Sequence, residues 1–164
     1  MKAKHNIQPI YDKESELLIL GSFPSVKSRE AEFFYHHPQN RFWKIFETIE
    51  NIQLKTIEDK ENFLLSHHIA LWDVIESCEI HGSSDSSIQD VKTNDILQLI
   101  EHSSIKHIIT NGKKAHALYQ KYCYREIGIN DICLPSTSPA NAAYSLDKLV
   151  LEYQLIYQYL SIHI

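Results

Sequence analysis

Short apolar runs alternate with helix-patterned segments along most of this chain, and that alternation narrows the fold more than any other feature. "ELLILGSFPS" is an apolar run that ends in Gly21 and a turn, which predicts a buried strand. "IALWDVI" predicts a second strand, "IKHIIT" a third and "INDICLP" a fourth. Between them, "NRFWKIFETIE" has apolar residues at helical spacing, with Asn40 as its N-cap. "TIEDKENFLLSHH" opens with Thr56 and Asp59, close to a capping box. "TNDILQLIEHS" predicts a short helix capped by Thr93, and "GKKAHALYQKY" another helix. "SLDKLVLEYQLIYQYL" predicts a long amphipathic C-terminal helix, and "HGSSDSSIQD" a polar loop. Strands separated by helices at this spacing imply βαβ crossovers. The expected fold is a three-layer α/β/α domain with a central, mainly parallel four-stranded sheet, spanning residues 1–164 as one unit.

Ligands of such folds bind beyond the carboxyl ends of the strands. That rule selects three loops: "GSFPS" (21–25), "TNG" (110–112) and "LPSTSPAN" (134–141). Their Gly, Ser, Thr, Pro and Asn residues are ordinary turn formers. Two of the loops nonetheless hold more Ser and Pro than a tight strand-to-helix turn requires. Hydroxyls and backbone N–H groups gathered there suit phosphate contacts.

Bulk properties exclude several classes. No apolar run approaches the ~18 residues of a membrane span, and the N-terminus has no apolar signal-peptide core, so the expected compartment is the cytoplasm. Cys78, Cys123 and Cys133 are widely spaced and form no C-x-x-C pair, against a disulfide framework or a thiolate metal site. Ten histidines include two adjacent pairs, but adjacent side chains diverge, and neither a metal nor a cofactor is expected. The net charge of −5 argues against a broad, non-specific nucleic-acid binder. The charge is locally sorted: Lys106, Lys113, Lys114, Lys121 and Arg125 lie in a stretch without acids.

"GSFPSVKSREAEFFYHHPQNRFW" resembles the first motif region of the uracil-DNA glycosylase superfamily. It is similar to the mismatch-specific uracil/thymine glycosylases, whose pattern is G-I-N-P-G followed by an aromatic and H-P-x-N-R-F-W. "TNGKKAHALY" fits the strand-to-helix step after the third strand, and "LPSTSPANAAYSLDKL" stands where the superfamily has its second motif. The resemblance covers nearly the whole chain. The combination G-S-F-P-S, H-P-x-N-R-F-W and S-T-S-P-A-N looks most like the hypoxanthine-DNA glycosylase branch. One departure is clear. Phe23 stands where the mismatch-specific enzymes carry a catalytic Asn, and the Asp that other branches use there is missing as well.

The resemblance implies a monofunctional glycosylase that hydrolyses the N-glycosidic bond of deoxyinosine in DNA and leaves an abasic site. It assigns catalysis to Asn40 and Asn111, the positions that match the branch's asparagines. Tyr35 falls on the stacking aromatic, and Gly21, Ser22 and Phe23 complete the base-binding set. Pro24, Ser25, Ser136, Ser138, Pro139, Asn141 and Lys113 are the expected DNA contacts. Each has a plainer reading: Asn40 as a helix cap, Asn111-Gly112 as a turn, Tyr35 as a core aromatic, and the serine-rich loop as capped turns. Arg41 either pairs with an acid or steadies a loop.

The chemistry is compatible with amides. Cleavage passes through an oxocarbenium-like sugar, and hydrogen bonds can stabilise the departing base without a strong acid. A carboxamide that both donates and accepts would match the carbonyl and adjacent N–H of hypoxanthine. Uracil has the same order of groups, so it stands as a second substrate. The expected partner is DNA containing deoxyinosine or uracil, with no membrane, acted on by a monomer. A catalytically silent nucleic-acid-binding module of the same fold is the competing reading, favoured by Phe23 and the net charge.

Overall fold

A computed structural model describes residues 1–161. Its centre is a four-stranded sheet of β2 (Leu17–Gly21), β3 (Ile69–Asp73), β6 (His107–Asn111) and β7 (Asp131–Leu134). All its pairings are parallel, in the order β3-β2-β6-β7. The period-two pleat sends alternate residues of β2 to opposite faces. Leu17 and Ile19 pack with helices α2 (Phe42–Glu50), α3 (Ile57–Ser66) and α7 (Leu146–Tyr153). Leu18 and Leu20 pack with α4 (Ile96–Glu101) and α5 (Lys113–Tyr122). Every residue of β2 is buried, as a strand covered on both faces must be. The expected α/β/α layering is present.

A second sheet was not legible in the sequence. β1 (Lys2–Lys4), β4 (Ile75–Glu79) and β5 (Gln89–Thr93) form an antiparallel sheet in the order β1-β4-β5. "IALWDVI" is therefore not one strand. The chain leaves the parallel sheet at Asp73 and enters the antiparallel one at Ile75. Val74 makes the bend, its N–H bonded to the Gly21 carbonyl.

Two further local expectations are corrected. Thr93 ends β5 and does not cap α4; Asp95 does, accepting the N–H of Gln98. Asp95 offers a carboxylate beside those amides, while the ladder with β4 holds Thr93. The C-terminal helix is α-helical only to Tyr153 and tightens into a 3-10 helix over Gln154–Tyr159. Buried Ile156 and Tyr157 pack into the core from that segment. The capping box of Thr56 and Asp59 is present on α3.

The strand order places a topological switch between β2 and β6, because the connections leaving these neighbours run to opposite sides of the sheet. The crevice beyond their carboxyl ends is where an open α/β sheet takes its ligand. Gly21 ends β2 and Asn111 ends β6.

Candidate active site

A pocket of about 440 Å3 opens at that switch point. Gly21, Ser22, Phe23, Pro24, Ser25, Tyr35, Asn40, Asn111, Ser136, Ser138 and Pro139 line it, so three segments remote in sequence converge there. Asn141 and Lys113 line an adjoining groove that shares Ser136, Ser138 and Asp85 with the pocket.

Asn40 and Asn111 are joined by a residue that motif reading passed over. Asn111 Nδ2 donates to Thr137 Oγ1 at 3.0 Å, and Thr137 Oγ1 donates to Asn40 Oδ1 at 2.8 Å. The backbone N–H of Thr137 donates to Asn111 Oδ1, also at 3.0 Å. Thr137 is fully buried, a polar side chain whose hydroxyl is fully used. The available signal was its place between two serines in "PSTSP", where a methyl-bearing hydroxyl packs inward as its neighbours face out.

The network fixes the orientation of both amides. A backbone N–H can only donate, so Asn111 Oδ1 is the atom facing the Thr137 N–H, and Asn40 Oδ1 is the atom facing the Phe42 N–H. Asn111 Oδ1 also lies 3.0 Å from the Tyr153 hydroxyl, whose single proton it shares with the Pro135 carbonyl at 2.7 Å. Asn40 Oδ1 accepts its second from Thr137. Asn40 Oδ1 thus has both lone pairs committed, and Asn111 Oδ1 is turned toward the Thr137 N–H and the Tyr153 hydroxyl. The expectation was that one carboxamide would both donate to and accept from a base; in this geometry both oxygens turn toward protein donors, and the amides offer the pocket N–H groups. Asn40 is also a partial cap, taking the amide of Phe42, the first residue of α2. The cap and the site residue are the same side chain.

Arg41 steadies the loop rather than pairing with an acid. Its guanidinium donates to the carbonyls of Ser138 at 2.7 Å, Asn141 at 3.1 Å and Tyr144, and its Nε to that of Thr137. The backbone N–H of Arg41 also bonds the Thr137 carbonyl. A planar fork of donors suits such a set of carbonyls. Gly112, at φ +100°, lets the loop approach: a Cβ there would lie 2.9 Å from the Cβ of Ser136. Within the loop, Asn141 Nδ2 donates to the Ser136 carbonyl, and the Ser136 and Ser138 hydroxyls accept backbone amides. These side chains shape the loop. Ser25 is likewise the N-cap of α1 (Val26–Ala31).

Tyr35 has φ +51° and stacks on Phe42, ring centroids 4.2 Å apart and 16° from coplanar. Its hydroxyl is buried beside the Asn111 amide and makes no well-formed hydrogen bond among the described residues. Burial raises its pKa far above the usual phenol value, and the charge of Asp73 adds to the shift. Phe23 lies edge-on to His5, with the Arg29 guanidinium 5.3 Å from its ring centre.

Two carboxylates also line the pocket, although Phe23 stands where other branches carry a first-motif Asp. Asp73, at the end of β3, is 3% exposed, and its Oδ2 accepts from His5 Nε2 at 2.9 Å. Asp85 comes from the turn between β4 and β5 and accepts the Ser22 hydroxyl at 2.8 Å. Asp85 is exposed as a residue, at the rim. The protein packed around its carboxyl nevertheless raises its pKa above the ordinary value; Asp73 adds to this, and Ser22 and Lys114 oppose it. No group of three or more His, Cys, Asp or Glu arranged to hold a metal occurs among the described residues.

Comparison with known proteins identifies the family. Residues 8–161 match the model of the "Uracil DNA glycosylase superfamily". A hypoxanthine DNA glycosylase of Methanosarcina acetivorans is 35% identical over 148 residues, 88% of this chain and 92% of that one. One from Methanosarcina barkeri is 32% identical over 141 residues, 84% of this chain and 88% of that one. The solution NMR structure of a candidate uracil DNA glycosylase from M. acetivorans superposes with a TM-score of 0.77 at 31% identity, covering 95% of this chain and 99% of that one.

Proposed function

The chain belongs to the uracil-DNA glycosylase superfamily, and from that premise we propose that it is a monofunctional DNA glycosylase that releases hypoxanthine from deoxyinosine. The observation that carries this reading is the Asn111–Thr137–Asn40 network, which directs amide N–H groups, and no amide oxygens, into the pocket. A base leaving with its bonding electrons gathers negative charge, and donors already in place stabilise it without reorganising. The similar Methanosarcina proteins named hypoxanthine DNA glycosylases support the choice of base. Uracil offers the same carbonyl and N–H, and is the second substrate of this reading.

Flipping brings the base out of the duplex, and the Tyr35 ring, backed by Phe42, gives it a stacking wall. With both amide oxygens turned toward protein donors, the acceptor for the attacking water is Asp85. Ser22 orients its carboxylate, and the raised pKa makes it a stronger base. Water adds at the anomeric carbon, its proton passes to Asp85, and hypoxanthine departs with the electrons of the C–N bond. The Arg41-stapled loop and Lys113 hold the flanking phosphates. The enzyme acts as a monomer in the cytoplasm; Cys78, Cys123 and Cys133 are free thiols, and no described helix is long and apolar enough to cross a membrane.

Single-turnover release of hypoxanthine at saturating enzyme tests this function. Asn40→Asp keeps an oxygen facing Phe42 and Thr137 but loses both N–H donors. Its excision is expected to fall by at least ~10²-fold, the scale of one preorganised donor, while its melting temperature stays near that of the parent. An undiminished rate in folded Asn40→Asp would falsify the catalytic role of Asn40. Failure of the parent to release hypoxanthine from any duplex would remove the function itself.

A further inference from the structure

The donor-only state of the two amides leaves a gap in base recognition. Hypoxanthine presents a carbonyl oxygen at C6 and an N–H at N1. The N–H groups of Asn40 and Asn111 satisfy the carbonyl, but N1–H needs an acceptor, and both amide oxygens are turned toward protein donors instead. Resting on the functional reading above, we propose that Asp73 is that acceptor and determines specificity for bases with a carbonyl beside a ring N–H.

Asp73 ends β3 directly opposite Gly21 in the parallel register, so its carboxylate sits on the pocket floor at the switch point. His5 fixes it. The His5 ring accepts the Ile7 N–H at Nδ1, which leaves the proton on Nε2 to donate to Asp73 Oδ2. The two side chains are 2% and 5% exposed. Asp73 Oδ1 has no protein donor among the described residues, and it lies over the Cα of Gly21, where any Cβ would collide with it. The buried Tyr35 hydroxyl, which makes no well-formed hydrogen bond among the described residues, reaches the same spot, 2.9 Å from that Cβ position. A carboxylate oxygen that lines the pocket without a protein donor and a buried hydroxyl converge on one glycine, where a ligand can supply their polar partners.

This polarity rejects adenine twice: its N1 lone pair would face the carboxylate, and its amino group would face the amide N–H donors. Guanine carries the same edge as hypoxanthine, so Asp73 accounts for the exclusion of adenine and not of guanine.

The test uses the folded full chain and duplexes holding one 2′-deoxyinosine or one 2′-deoxynebularine, whose purine has an acceptor at N1 and no carbonyl. Asp73→Asn still accepts from His5 but turns its amide N–H groups toward the pocket. Its preference for deoxyinosine over deoxynebularine is expected to fall at least ~10-fold, a small part of what a site built to bind one polar group can impose. An unchanged ratio in folded Asp73→Asn overturns the proposal while leaving glycosylase activity intact. A parent inactive on deoxyinosine would instead remove the underlying function. Should Asp73→Asn not fold, product inhibition of the parent decides. 1-Methylhypoxanthine, which lacks the N1 proton, is expected to inhibit at least ~10-fold more weakly than hypoxanthine, and equal inhibition by the two would overturn the proposal.

Discussion

Gly21 and Asp73 face each other across adjacent parallel strands, and the carboxylate of Asp73 fills the space that a side chain at Gly21 would need. The glycine is required for closeness rather than for an unusual backbone angle. Adding one methyl group as Gly21→Ala pushes Asp73 off the pocket floor or breaks its bond to His5. Overpacking of this kind typically costs about 1–3 kcal/mol. Deoxyinosine excision should drop far more than the folded fraction does, with the melting temperature lowered by several degrees. An alanine variant with parental excision would show that the carboxylate moves aside without consequence.

Why Gly21 was legible as a site residue and Asp73 was not is a matter of contact order. Gly21 and Asn111 end strands and Asn40 precedes a helix, each beside a turn that a single sequence already marks. Asp73 reads locally as the polar end of an apolar strand. Its importance depends on His5, nearly seventy residues away in sequence, as the hydrogen bond spans 68 positions. The antiparallel sheet escaped notice for a similar reason. β5 is a polar, half-exposed strand with two register shifts against β4, so it lacks the alternation that marks a strand. The parallel strands were readable because burial on both faces makes them continuous apolar runs.

Thr137→Val tests the link between the two asparagines. Valine has the shape of threonine but cannot bridge them, leaving one N–H of Asn111 and one lone pair of Asn40 unsatisfied. A buried unpaired polar group costs about 1–3 kcal/mol, and the amides become free to rotate. Single-turnover excision should fall about 10- to 100-fold, within the range set by losing one preorganised donor. Thr137→Ser, which restores the hydroxyl, should recover most of the rate. If Thr137→Val and Thr137→Ser lose the same amount, the methyl group matters and the hydroxyl bridge does not.

Lys113 is exposed and lines the groove beside the pocket. If it and Lys114 meet phosphates, DNA affinity should weaken with salt, and replacing both with alanine should lower the affinity and flatten the salt slope by roughly one unit per lost contact. The count is small, in keeping with the net charge of −5. Fluorescence anisotropy across a salt series measures it. A slope identical in parent and double variant would place the DNA backbone elsewhere.

Asp85 gives opposite predictions for rate and stability, and both follow from the direction of one pKa shift. Burial raises its carboxyl above the ordinary value, so the folded protein holds that proton more tightly than the unfolded chain does. Below the unfolded pKa both states are protonated and Asp85 contributes nothing. As pH rises through the raised folded pKa, the folded state must carry a disfavoured carboxylate, and the resulting loss of stability persists at neutral pH. Asp85→Asn still accepts the Ser22 hydroxyl and avoids that charge, so its melting temperature should exceed that of the parent at neutral pH and approach it in acid. The rate moves the other way. Parental single-turnover excision should rise with pH as Asp85 ionises, with an apparent pKa above the ordinary carboxylate value of about 3.9. Asp85→Asn should lose that rise and fall by at least ~10²-fold on the plateau, the usual scale of a positioned base. A site that gives up stability for a function behaves this way. An Asp85→Asn protein that melts higher yet keeps the full rate and the parental pH profile would leave Asp85 as an unfavourable rim charge and move the water-activating role to another acceptor.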